Sequence, residues 1–283
     1  MAMARCVSVV EAIGGSPTVN DLQNLQMPSQ TSSASRRTVP LPLNQLQFIL
    51  LLILFSLSRN GWCEAPREIH DQLVVVDSTV RPLALTLDAC SGKYDSDLIQ
   101  FLIRNRIPAT IFATKKWLER NAFGLSVIKA HLDLFDVEDH GENHVPAVIG
   151  AGKKVYGIPG QPDVVHLRRE VVVGASAIEA ATGVAPHWYR GATAEYDKAA
   201  IEEIGKLGYK IAGFSVNADA GATLKRGAIE ERLKHVKAGD IIIAHMNKPA
   251  SETAEGLASA LSELVRQGFI FVRLDQVEIR AVP

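Results

Sequence analysis

Five places in this sequence put a residue able to move a proton, hold a charge or bind an ion at the polar end of an apolar run. Asp88 ends the run 82–88, His140 and His144 follow 132–138, and Arg190 ends 187–190. Asn217 and Asp219 follow 210–216, and His245 follows 240–244. The chemistry open to such a set is hydrolytic. A carboxylate can take a proton from water, an imidazole can give one to a leaving group, and a guanidinium can hold the carboxylate ionised. Two histidines four residues apart can share one transition-metal ion. Each residue also has a plainer reading. Asp88 could cap the next helix, His140 and His144 could be ordinary loop histidines, Arg190 an exposed strand end, and Asp219 a turn residue in 217–221. Capping alone does not account for Asp, His, Arg, Asp and His at five separate strand ends.

The elements that must position these residues alternate. Short apolar runs at 82–88, 108–114, 132–138, 187–190, 210–216, 240–244 and 269–274 read as strands. Helical spacing falls between them, over 95–106, 117–130 with a break near Gly124, 164–182 between Asp163 and Gly183, 196–207, 229–237 and 253–267. The Gly- and Pro-rich stretch 146–162 reads as a surface loop. This alternation predicts parallel βαβ units, in either an open doubly wound sheet or a compact, incomplete barrel. In a barrel all the polar strand ends meet on one rim. No Gly-x-Gly-x-x-Gly follows the first strand, which argues against a dinucleotide site.

The full chain has 283 residues, 47% of them hydrophobic and 22% charged, with 30 Lys+Arg against 31 Asp+Glu. That balance gives no global reason to bind nucleic acid or an anionic membrane. The first 65 residues differ from the rest. They hold no lysine, a polar stretch at 14–40 that includes Arg36-Arg37, and then the apolar run 46–57. This pattern reads as a secretory signal, with cleavage near 61–65 and Met1 or Met27 as the start. The run is too short for a membrane span. The expected organisation is an extension over 1–65 and one catalytic domain over 66–283, periplasmic or secreted, with no stable membrane span after cleavage. Cys90 is then the single cysteine left, so no internal disulfide is expected.

In order along the chain, Thr86-Leu87-Asp88-Ala89-Cys90, His140-Gly141-Glu142-Asn143-His144, Tyr189-Arg190-Gly191, Asn217-Ala218-Asp219 and Ile241–His245 resemble the five motifs of the polysaccharide deacetylase family, the NodB-homology or carbohydrate esterase family 4 group. The resemblance spans about residues 83–274. It implies a distorted, incomplete (β/α) barrel of about seven parallel strands, and hydrolysis of N-acetyl groups on an amino-sugar polymer or oligomer. It also implies roles: Asp88 as base, Arg190 as its partner, His245 as acid with Asp219 raising its pKa, and His140 and His144 as ligands of a divalent metal such as zinc. Two motif positions depart from the family. Ala89 stands where a second, metal-binding aspartate is usual, giving an Asp-Ala-Cys variant, and the proline after the third-motif arginine is missing, with Gly191-Ala192 in its place.

Zinc catalytic sites commonly use three protein ligands, so a third must come from elsewhere. Asp139, Glu142, Asp88 and Cys90 are the choices the sequence offers. Tyr189, Tyr156 and Asn217 are the expected contacts to an N-acetylated glycan, and Trp188 reads as core. Two other functions stay open: a metal-independent hydrolase of another C–N bond, and a non-catalytic carbohydrate-binding protein on the same scaffold.

Overall fold

The structure, a computed structural model, describes residues 65–282. The expected signal segment, its cleavage site and the choice between Met1 and Met27 lie outside the described residues. No helix among the described residues is long and apolar enough to cross a membrane.

Parallel strands make the central sheet: β1 (Arg81–Ala89), β2 (Ala109–Ala113), β3 (Phe135–Asp139), β4 (Trp188–Tyr189), β5 (Lys210–Ile211), β6 (Val216–Asn217), β7 (Ile241–His245) and β8 (Phe269–Val272). Their order is β5-β4-β3-β2-β1-β7-β6, with β8 paired to the first half of β1. The two end strands, β5 and β6, belong to one passage of chain. Counted as passages there are seven, curled into the distorted barrel that the motifs implied. Between β5 and β6 the ring splits, and the segment before β1 wedges into the gap. There Gly213 N donates to Asp71 Oδ2 at 2.8 Å, Phe214 N to the Ile69 carbonyl at 3.3 Å, and Asp71 N to the Phe214 carbonyl at 3.4 Å.

Strand alternation divides the side chains into two sets. Leu83, Leu85, Leu87 and Ala89 of β1, with Ile111, Phe135, Val137, Ile242 and Ala244, face outward and are buried under the helices. Ala84, Phe112, Trp188, Ile241 and Ile243 face inward and fill the lower barrel. Each large aliphatic side chain so buried contributes about 1.5–3 kcal/mol. Where the inward row reaches the C-terminal end of the strands it becomes polar: Thr86 and Asp88 after Ala84, and His245 after Ile243.

The outer helices are α1 (Ser96–Arg104), α2 (Lys115–Arg120), α3 (Ala122–Lys129), α4 (Val164–Thr182), α5 (Lys198–Lys206), α6 (Arg226–Leu233) and α7 (Thr253–Arg266). α4 has the bounds its sequence predicts, because Asp163 accepts from His166 N and Gly183 ends it with φ 81°. The helix expected over 117–130 is instead two, broken at Asn121 rather than near Gly124. Asn121 donates its amide to the Trp117 and Gly92 carbonyls and accepts from Tyr94 N, which ties the break to the loop after β1. Residues 146–162 are not all loop. They hold Pro146–Ala147, which pairs with a strand at Ala192–Tyr196, and a small hairpin of Lys154–Val155 with Ile158–Pro159. That strand ends at Tyr196, so α5 starts at Lys198, two residues after the predicted helix.

Candidate active site

Asp88 and His245 end neighbouring strands in the same register, so both side chains rise from the barrel floor side by side. Asp88 is not a helix cap; Asp95 fills that role, accepting from Leu98 N at 3.1 Å. Arg190 Nη1 donates to Asp88 Oδ1 at 2.9 Å and to Thr86 Oγ1 at 2.8 Å. Its Nε and Nη2 reach the Ala212 and Gly213 carbonyls, both at 3.2 Å, and its guanidinium lies 4.1 Å from the centre of the Phe112 ring. This arginine is completely buried. Its donors meet a carboxylate, a hydroxyl and two carbonyls, so its charge is compensated inside the barrel. Burial alone would raise the Asp88 carboxyl. Arg190, His140 and His245 outweigh burial and hold it below its ordinary value.

His245 is held by Asp219. One carboxylate oxygen accepts from His245 Nδ1 at 2.9 Å, the other from His245 N at 2.8 Å and from Thr253 Oγ1 at 3.1 Å. Nδ1 is thereby occupied, and Nε2 is the nitrogen left to serve the cleft. Burial lowers this imidazole's pKa. Asp219, Cys90 and Asp88 overcome that and place it well above 6.5. Asp219 stays below its ordinary value, since the His245 contacts outweigh its own burial.

His140 turns Nδ1 to the Arg190 carbonyl at 2.5 Å, so that nitrogen carries a proton and Nε2 points inward. Nε2 lies 3.6 Å from Cys90 Sγ and 3.7 Å from Asp88 Oδ2. The His144 ring meets it edge-on, with centroids 4.8 Å apart. His144 takes φ 64°, a left-handed conformation that costs a non-glycine residue about 1–3 kcal/mol and needs support. Glu170 of α4 supplies the support: its Oε1 accepts from Asn143 N at 2.8 Å and Val145 N at 3.1 Å, on either side of His144. Gly141 has φ 90°, and a Cβ there would sit 2.5 Å from that same oxygen. In the sequence nothing marks Glu170, which sits beside Arg168 and Arg169 like part of a charged helix face.

Cys90 Sγ and ring nitrogens of His140 and His144 all lie within 4.8 Å of one another. With one imidazole's tautomer fixed by a carbonyl, this donor set suits a divalent transition ion. Burial opposes charge on both groups, yet Asp88 and Cys90 push His140 up to about 9, and hydrogen bonds from His140, His144 and His245 bring the Cys90 thiol well below 9.0. A bound cation would displace these protons.

A cleft of about 500 Å³ opens over these groups, with Asp88, Cys90, His144 and His245 in its floor and Tyr156 and Asn217 in its wall. Tyr156 is 74% exposed, and its hydroxyl donates to Glu195 Oε1 at 2.8 Å. Asn217 Oδ1 accepts from Ala220 N at 2.8 Å, which orients its amide. Tyr189 is not in the cleft, and its expected contact to a glycan is corrected. It precedes the inward Arg190 by one residue, so it faces outward and is fully buried against Leu167, Val171 and Tyr196.

Two of the possible third ligands are likewise engaged elsewhere. Glu142 pairs with Arg169 at 3.0 Å and Lys115 at 3.6 Å. Asp139, on the outward face, accepts from Gly141 N at 2.8 Å.

A parallel (β/α) barrel with Asp, Arg and His at its C-terminal rim defines the class of protein. Residues 76–212 match the family model described as polysaccharide deacetylase. Over that stretch, just under half of its length, the chain carries a polysaccharide deacetylase domain. Among solved structures it is similar to PdaA of Bacillus subtilis, a family 4 carbohydrate esterase (19% identity, 71% of this chain and 82% of that one, TM-score 0.57). It is similar to a CE4 family pseudoenzyme from Bacillus anthracis (18% identity, 76% and 69%, TM-score 0.58). A third likeness is to the Bc1960 peptidoglycan N-acetylglucosamine deacetylase (16% identity, 72% and 90%, TM-score 0.59). At these identities the likeness establishes the fold. No curated protein sequence matches the chain.

Proposed function

We propose that this protein hydrolyses N-acetyl groups on an amino-sugar polymer or oligomer, with Asp88 as general base and His245 as general acid. The observation that carries the reading is the pairing of these two groups. They stand in one register on neighbouring strands, one tied to a buried cation and the other to a buried anion, under a single cleft.

Asp88 takes a proton from the attacking water as its oxygen bonds to the acetyl carbon. Arg190 keeps the carboxylate ionised and aimed. His245 delivers the proton on Nε2 to the amide nitrogen as the C–N bond breaks, leaving acetate and a free amine. Asp219 keeps His245 protonated until then, and orients the ring. His140 and His144 are the residues that would hold a divalent metal, which when bound supplies an acidified water and polarises the carbonyl. Tyr156 presents a ring to a sugar face, and Asn217 a carboxamide to its hydroxyl or acetamido groups. The signal-like segment supports a periplasmic or secreted location, where such polymers are met.

The test is acetate release from a panel of N-acetylated glycans, with zinc or cobalt added and with a chelator. Release that rises with metal and falls with chelator is the expected result. Glycan binding without release from any substrate in the panel would instead make the protein a binder.

A further inference from the structure

The geometry points to Cys90 as the third protein ligand of the metal site, making it a thiolate–imidazole–imidazole centre with His140 and His144. The inference rests on the deacetylase reading only for the presence of a metal there. It comes from strand alternation. Ala89, at the position where the motif usually carries a metal-binding aspartate, is fully buried on the outward face, among the apolar side chains under the helices. The next inward position after Asp88 is Cys90. Its backbone is pinned at the strand end, where Thr114 Oγ1 donates to the Cys90 carbonyl and Thr114 N to the Ala89 carbonyl.

The separation fits coordination. Zinc–sulfur and zinc–nitrogen bonds of about 2.3 and 2.05 Å at a tetrahedral angle put the two ligand atoms about 3.6 Å apart. Cys90 Sγ and His140 Nε2 are 3.6 Å apart. The other carboxylates of the neighbourhood are placed differently: Asp88 is paired with Arg190, Glu142 with Arg169, and Asp139 lies on the outward face with Oδ1 on the Gly141 amide. Among the described residues Cys90 is the one cysteine, and it is buried. A thiolate beside two imidazoles favours zinc or cobalt over magnesium or calcium, which prefer oxygen. The thiol gives up its proton as the metal–sulfur bond forms.

Cobalt(II) tests this without relying on activity, because a cobalt–thiolate bond adds a charge-transfer band in the near ultraviolet. The full-length chain is titrated with cobalt alone, as wild type, Cys90→Ser and Cys90→Asp. Cys6 and Cys63 remain in every variant, so a lost band is assigned to Cys90. The wild type is expected to bind one cobalt and show the band. Cys90→Ser is expected to lose the band and bind at least about 100-fold more weakly, since even outer-shell changes cost 10–100-fold. Cys90→Asp, which restores a carboxylate, is expected to keep the metal and lose the band. Cobalt bound by wild type without the band, the same band in Cys90→Ser, or no cobalt bound at all would overturn the inference. Acetate release measured on the same samples separates the two claims. A band without release leaves the thiolate site standing and removes the deacetylase, and release without a band does the reverse.

Discussion

Asp88 and Glu138 lie at one level of the barrel, two strands apart, with Phe112 in register between them. Both are carboxylates on the inward face and both are buried. They are treated in opposite ways. Asp88 faces Arg190, with His140 and His245 close by, and is held below its ordinary value. Glu138 accepts two backbone N–H groups, from His187 at 2.8 Å and Trp188 at 2.7 Å, and has the Asp136 carboxyl beside it rather than a cation. Burial, with Asp136 next to it, pushes Glu138 up to about 8. The Phe112 ring stacks on Arg190 and stands between the two environments. Charge is therefore preserved under the cleft, where it is needed, and suppressed two strands away at the same level. Partners, and not depth, decide which carboxylate stays ionised.

The largest contrast is in activity. His245→Ala is expected to lower kcat for acetate release by about 100- to 10,000-fold, and Glu138→Gln by less than about twofold, since only the first gives a proton to substrate. Steady-state kinetics on one N-acetylated oligosaccharide checks both, and equal losses would end the distinction.

Stability gives the next contrast. Arg190→Met leaves Asp88 buried without its cation and is expected to cost about 3–5 kcal/mol by urea denaturation. Glu138→Gln keeps an acceptor for the two N–H groups and removes a group that resists ionisation, so it should not destabilise at neutral pH.

Ala89→Asp sharpens the alternation argument. It places a carboxylate in the apolar layer under the helices and should cost about 3 kcal/mol, without raising cobalt affinity. A gain in metal binding would show that residue 89 can turn inward.

The smallest effect is a slope with pH. Unfolded, Glu138 ionises near its ordinary 4.5; folded, it keeps its proton to about 8. The unfolded state therefore binds fewer protons between these values, and stability falls as pH rises through that window. Asp88 has the opposite sign: its contribution is present above 3.8 and is lost as pH falls through its lower folded value. Melting temperatures from pH 4.5 to 8 should fall less steeply in Glu138→Gln than in wild type.

How much of this the sequence carries depends on the length of each apolar run. β1 and β7 are long enough to show both their face and their polar end, so Asp88 and His245 stand out. β4 has two residues, and with no run to set the parity Tyr189 and Arg190 cannot be told apart. Cys90 is only one of four ligand choices in the sequence, because its direction depends on whether β1 persists past Asp88. Ala192–Tyr196, with alternating burial and little apolar character, shows as a strand only through its partners. The split at Gly213 and Phe214 depends on residues 69–71, some 140 positions away, which no local pattern reveals. Glu170 was hidden for a similar reason: its partners are backbone amides of another segment.

The central claim is that Asp88 is the base of a hydrolytic centre, and Asp88→Asn tests it most directly. The measurement is acetate release from an N-acetylglucosamine oligomer, with binding of the same oligomer followed in parallel. The account predicts that the variant still binds the oligomer and releases acetate about 100- to 10,000-fold more slowly. Release at the wild-type rate would contradict it.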